Sequence, residues 1–188
     1  MLFAVLAAAL AAPPVTVEVY QESLCPDSQA FIAGPLSSML NPVSGLESIT
    51  DLHFIPWGNA YYNISECTGP SGFSKEIMGC WADNCGGGYP KPDCYVGKKI
   101  CQHGEQECLG NTLESCVIQH YPVPQLWFSF IYCFEGENKG SMDKAQQCAS
   151  SSQMNWQVLQ QCMTGPEGIG IDRGNAQLTA KVGSDRTR

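Results

Sequence analysis

Cys25 opens the run Cys25-Pro26-Asp27-Ser28, and Ser28 stands where a two-cysteine redox motif would carry its second cysteine. Upstream, Val15 to Tyr20 alternates Val15, Val17 and Val19 with Thr16 and Glu18, which is a strand pattern. Pro26 suits the first turn of a helix, where a missing amide proton costs nothing. A cysteine placed where a strand hands over to a helix meets unpaired amides and the positive end of the helix dipole. Cysteines in that setting reach pKa values of roughly 3.5–7.5 instead of ~8.5. The thiolate can then attack a disulfide and form a mixed disulfide. Ser28 can donate a hydrogen bond to such a thiolate, but a hydroxyl cannot release the bound product. Asp27 favours the helix start by its charge; close to the sulfur it would raise the thiol pKa. The competing reading makes Cys25 a small buried apolar side chain, and this stretch alone leaves both open.

The chain has eleven cysteines. Ten of them (Cys67, Cys80, Cys85, Cys94, Cys101, Cys108, Cys116, Cys133, Cys148 and Cys162) lie together, and Cys25 stands alone upstream. Such density points to an oxidising compartment. An odd cysteine is then an intermolecular linker or a free thiol. Five bridges among the ten would contribute ~2–4 kcal/mol each, with a connectivity that spacing does not give. The spacings Cys80-x4-Cys85, Cys94-x6-Cys101 and Cys101-x6-Cys108 lack the paired knuckles of structural zinc sites, so no metal is expected on these cysteines.

The stretch Cys101 to Cys116 reads C-Q-H-G-x-x-E-C-x-x-N-x-x-x-x-C, eight fixed positions in sixteen residues. It resembles the signature of the gamma-interferon-inducible lysosomal thiol reductase family. "VYQESLCPDS" and "FIPWGNA" are similar to that family's active-site strand and second strand, so the resemblance runs from about Val15 to Val182. It implies an α/β (α+β) fold: a thioredoxin-like βαβ unit with a large cysteine-rich, mainly helical insertion. It also implies a soluble glycoprotein, secreted or in the lysosomal or endosomal lumen, that reduces disulfide-containing proteins. Cys25 matches the attacking cysteine and Ser28 falls at the resolving position. No cofactor is implied; an external thiol such as glutathione or cysteine would resolve the adduct. In the family the chain continues past a segment like "GNAQLTA" into a strand preceded by a cis-proline. Here it ends at Arg188, so the C-terminal ββα half is expected to be missing. The alternative is a non-catalytic, disulfide-stapled binding module or a mixed-disulfide trap derived from a reductase.

The elements that must position Cys25 follow from pattern. Ser28 to Leu40 carries Phe31, Ile32, Leu36 and Leu40 at helical spacing, with a kink expected at Gly34-Pro35. Ile49 to Ile55 reads as a second strand, completing a βαβ unit. Tyr61 to Ile100 shows no period and reads as loop. Asn111 is a candidate helix cap with Glu114 three positions on. "LWFSFIYCF" (Leu126 to Phe134) reads as a buried helix. Helices are also expected from Ser152 to Gly165 and, weakened by Gly170 and Gly174, from Ile169 to Val182. His103 is expected to satisfy backbone in a turn, and Trp57 is a candidate peptide-stacking surface.

Residues 1–11 are apolar and end in small residues, as a signal peptide does. Residues 12–188 are then one thioredoxin-like domain with its insertion at about 61–165. Asn63 in Asn63-Ile64-Ser65 is a candidate glycosylation site. A composition of 44% hydrophobic and 15% charged residues is that of a globular chain. The net charge of −8 excludes a phosphate-binding, nucleic-acid role. No other segment has the ~18 apolar residues of a membrane span.

Overall fold

The computed structural model describes residues 13–183; the expected signal peptide lies outside them. Strand β1 (Val15–Gln21) runs into helix α1 (Pro26–Phe31). A π-helical turn (Ile32–Leu36) continues it into α2 (Ser37–Met39). The kink expected at Gly34-Pro35 is this wide turn, which absorbs the amide donor that Pro35 lacks. Strand β2 (Thr50–Pro56) returns parallel to β1, in register from Val15↔Thr50 to Gln21↔Pro56. Short strands β3 (Tyr61–Tyr62) and β4 (Lys99–Ile100) pair antiparallel. The other helices are α3 (Lys75–Cys85), α4 (Glu105–His120), α5 (Pro124–Ile131), α6 (Met142–Ser151), α7 (Trp156–Thr164) and α8 (Pro166–Ala180). The fold is mixed α/β, with small sheets among many helices.

Because side chains alternate across a strand, the β1–β2 ribbon serves two apolar clusters. Val19, Leu52 and Phe54 join Ile32, Leu36, Leu113, Val117, Trp127, Phe130 and Leu159. Tyr20 and Ile55, one residue on in each strand, join Trp57, Tyr61, Met78 and Trp81, with Ala176 and Ala180 of α8.

Three expectations change here. Tyr61 to Ile100 is not all loop: Ser74 caps α3 by accepting from the Ile77 amide, and Ile77, Met78, Trp81, Ala82 and Cys85 are buried along it. Flanking Gly, Pro and Cys residues hide that period. Asn111 is no cap. The helix begins at Glu105, after Gly104 at φ +88°, and buries Asn111 in its interior. Trp57 cannot stack on a peptide, being fully buried against Tyr62 (5.2 Å) and Trp81 (6.4 Å). The final helix runs Pro166–Ala180 through Gly170 and Gly174, both of which face open space. At Gly168 a Cβ would lie 2.5 Å from the Cys162 carbonyl and 2.9 Å from Thr112, so glycine there lets α8 approach α4 and α7. The run after Leu126 is helical through Ile131 and then widens into a π turn over Tyr132–Glu137.

Ten cysteines form five bridges: Cys67–Cys80, Cys85–Cys94, Cys101–Cys108, Cys116–Cys162 and Cys133–Cys148. The first two hold α3, the third closes the start of α4, and Cys116–Cys162 ties α4 to α7. Lys99 adds a polar rivet. Its Nζ donates to the Cys108 carbonyl (2.9 Å), Thr112 Oγ1 (2.7 Å) and Asp172 Oδ2, and lies over the Trp57 ring.

A cross-link restricts the unfolded chain more when it closes a longer loop. Cys116–Cys162 spans 46 residues and Cys101–Cys108 spans 7. Cys116→Ala with Cys162→Ala is therefore expected to cost about 4 kcal/mol and Cys101→Ala with Cys108→Ala about 2 kcal/mol. Guanidinium unfolding of both pairs checks the order.

Candidate active site

Cys25 is the N-cap of α1; its carbonyl accepts the first helical bond, from the Gln29 amide at 2.9 Å. The thiol is partly exposed, and among the described residues it is the only free cysteine. The residue before it, Leu24, holds φ +65°, a left-handed conformation that costs a non-glycine residue roughly 1–2 kcal/mol. Such strain persists only where surroundings over-determine the backbone.

Those surroundings are carboxylates brought in by distant elements. Glu135, buried in the π turn after α5, accepts from the Ser23 hydroxyl, the Leu24 amide (3.3 Å) and Gln29 Nε2 (3.1 Å). Asn111 of α4 accepts the Ser23 amide at 2.7 Å. Gln21 donates to Glu114, also of α4. Gly110 permits this approach, because a Cβ there would sit 2.2 Å from Ser23 Oγ.

A second polar line reaches the sulfur itself. His103 Nδ1 lies 3.0 Å from Glu107 Oε2 and 3.8 Å from Glu22 Oε1. Glu107 also accepts the His103 backbone amide and the Asn111 side chain. One donor atom each of Glu22, Cys25 and His103 all fall within 4.8 Å of one another. Glu22 is held by the Asn59 amide at 2.8 Å and by close packing on Gly58. Burial, with the Glu22 carboxylate nearby, pushes the Glu107 carboxyl up to about 8.

Cys25 thus gains neighbours that its local sequence did not announce. His103 does not satisfy backbone as expected: its ring meets the Glu107 and Glu22 carboxylates, its own amide donates to Glu107, and it stands beside Cys25. Glu22, Glu107 and Glu135 are not among the expected site residues, and Asn111, expected as a cap, holds the turn before Cys25 instead. Polar residues one helical turn apart at Glu107 and Asn111, in a helix meant for a core, were the available signal. Ser28 Oγ accepts the Glu22 amide at 3.4 Å; no bond from Ser28 to the Cys25 sulfur is present among the described residues. Asp27 is exposed in the first turn of α1. Asn63 is exposed just beyond β3, away from these contacts.

A family model described as "Gamma interferon inducible lysosomal thiol reductase (GILT)" matches residues 16–74 and 92–152, more than half of the chain. The chain belongs to this GILT family. The matched segments hold Cys25, Ser28 and the whole Cys101 to Cys116 signature. It is 32% identical over 126 residues to the "Gamma-interferon-responsive lysosomal thiol protein" of Arabidopsis thaliana, covering 67% of this chain and 40% of that one. Against the "Gamma-interferon-inducible lysosomal thiol reductase" of Carassius auratus it is 28% identical, covering 89% and 54%. "GILT-like protein 1" of Drosophila melanogaster is 27% identical, with 94% and 64% covered. The chain thus spans less than two thirds of the length of these GILT relatives.

Two predictions follow from the carboxylates behind Cys25. Alanine is ordinarily the better helix former by about 1 kcal/mol, but Gly110→Ala must push Ser23 off Glu135 and is expected to cost about 1–3 kcal/mol in chemical denaturation. Glu114 is fully buried, and its Oε1 has no donor. Burial first, then the Glu135 carboxylate it bonds, hold its carboxyl well above the usual range. The folded chain therefore keeps a proton that the unfolded chain releases. That stability is complete below the ordinary carboxyl value of ~4.3 and falls as pH rises toward the folded value. Thermal melting between pH ~5 and ~8 should show a decline that Glu114→Gln flattens.

Proposed function

We propose that this chain reduces protein disulfides with Cys25 as its only attacking thiol, in the lumen of the secretory or endocytic pathway. The free, partly exposed Cys25 at a helix start carries this reading, when every other described cysteine is bridged. Its relatives' names, thiol protein and thiol reductase, support the same chemistry.

The Cys25 thiolate attacks one sulfur of a substrate disulfide, forming a Cys25–substrate disulfide and expelling the other sulfur as a thiolate, which takes up a proton. Ser28 cannot attack the adduct. A small external thiolate, of the glutathione or cysteine type, attacks the substrate sulfur instead and restores the Cys25 thiolate. A second external thiol then frees the substrate, so two external thiols are oxidised for each disulfide reduced. His103 and Glu22 are the polar groups beside the reacting sulfur. The exposed Asn63 fits a glycan site in that compartment. Among the described residues no helix is long and apolar enough to cross a membrane.

Ser28 in the resolving position favours a second reading, a trap that holds its partner as a long-lived mixed disulfide. The two readings differ in release. With a fluorescent disulfide peptide and excess glutathione, Cys25→Ala should fall to the uncatalysed rate. Ser28→Cys should raise turnover roughly 10-fold at low millimolar thiol, because an attached thiol acts at a far higher effective concentration. Activity that survives Cys25→Ala overturns the proposal, and adducts that outlast excess glutathione favour the trap.

A further inference from the structure

We propose that Glu22, Cys25 and His103 form a site for a thiophilic divalent cation, with zinc as the type case, which masks the Cys25 sulfur. The masking deepens the disulfide-reductase reading and rests on it for its consequence; the binding does not. The donor set is one sulfur, one imidazole nitrogen and one carboxylate oxygen, the three ligand types that zinc takes. One donor atom of each already lies within 4.8 Å of the others. A tetrahedral zinc with bonds of ~2.0–2.3 Å sets its ligand atoms roughly 3.3–3.8 Å apart. A closure of about one ångström therefore completes the shell, within reach of a side-chain rotation at the more exposed His103.

The supporting shell is in place. The Asn59 amide holds the other oxygen of Glu22 at 2.8 Å. Glu107 Oε2 lies 3.0 Å from His103 Nδ1, which leaves Nε2 as the ring nitrogen for the metal, with the carboxyl group behind it as in other metal-bound histidines. A thiolate and a carboxylate against a dication leave no net charge in this partly buried place. Three protein ligands leave a fourth position for water or an incoming thiolate. Binding exchanges the thiol proton for the metal and involves no electron transfer.

The other grouping of this kind among the described residues, His120, Cys162 and Glu167, is disqualified by chemistry. The Cys162 sulfur is bonded to Cys116 and has no thiolate to offer.

Cobalt(II) makes the test visible, since a thiolate bound to cobalt gives a charge-transfer band in the near ultraviolet. Titrating the metal-free, disulfide-intact chain should give this band at one equivalent. Zinc should abolish the band and slow alkylation of Cys25 by iodoacetamide. Cys25→Ser should lose the band, and His103→Ala and Glu22→Gln should each weaken binding about tenfold or more. His120→Ala should change nothing. No band with unchanged alkylation overturns the inference, as does equal binding in Cys25→Ser, an isosteric change that leaves the fold in place. A chain that binds cobalt through Cys25 yet never reduces disulfides keeps the metal site and removes the reductase reading. A chain that reduces disulfides indifferently to zinc keeps the reductase reading and overturns the masking.

Discussion

Everything near Cys25 depends on buried carboxylates gripping a turn that cannot satisfy itself. Between the end of β1 and the start of α1 the backbone leaves the sheet, and Leu24 turns through positive φ. Buried amides at such a corner need partners. Asn111 takes the Ser23 amide and Glu135 takes the Leu24 amide, the Ser23 hydroxyl and the Gln29 side chain. A hydrogen bond to a charged group is worth roughly 1.5–3 kcal/mol, so three on one carboxylate outweigh the strain at Leu24. Glu135 and Asn111 come from elements more than eighty residues downstream, and so the site exists only when the helical region is folded onto the ribbon.

This explains the crowded sequence between Cys101 and Cys116. Its cysteines are staples, one closing the start of α4 and one fastening α4 to α7. Its other fixed residues face the turn that carries Cys25. Gln102 accepts from the Asn59 side chain at 2.6 Å, His103 stands by Cys25, Glu107 braces His103, and Asn111 holds Ser23. Gly104, at positive φ, lets the chain turn from this contact into the helix. A motif that reads as a disulfide framework is thus also half of the candidate active site. The staples fix the axis of α4, and the polar residues use it.

What was legible follows from the range of each signal. The β1–helix–β2 unit could be read because strand alternation and helical spacing are local, and α7 because Leu159 and Cys162 repeat on one face. Ten paired cysteines and one free one could be read from their grouping. The Asn111 error came from a local rule meeting a tertiary demand: Asn and Glu three apart look like a cap, but here both side chains reach β1 and its following turn. Helix α3 was hidden because its buried residues lie among glycines and cysteines that carry no period. Trp57 was misread since an aromatic beside Pro and Gly suggests exposure. Nothing local shows that Lys99 will lie over its ring.

Ser28 takes a different meaning in this setting. Its hydroxyl accepts the Glu22 amide, so it helps hold the carboxylate that borders Cys25. A thiol at that position would accept the same amide only weakly. Serine therefore strengthens the scaffold around Cys25 while removing a second sulfur from it. Cys25 is left as the single free sulfur among the described residues, partly open to solvent. The groups already within 4.8 Å of one another there are Glu22, Cys25 and His103. The surroundings of Cys25 are set by Glu22 and His103, the latter braced by Glu107 of α4, as much as by the serine at position 28.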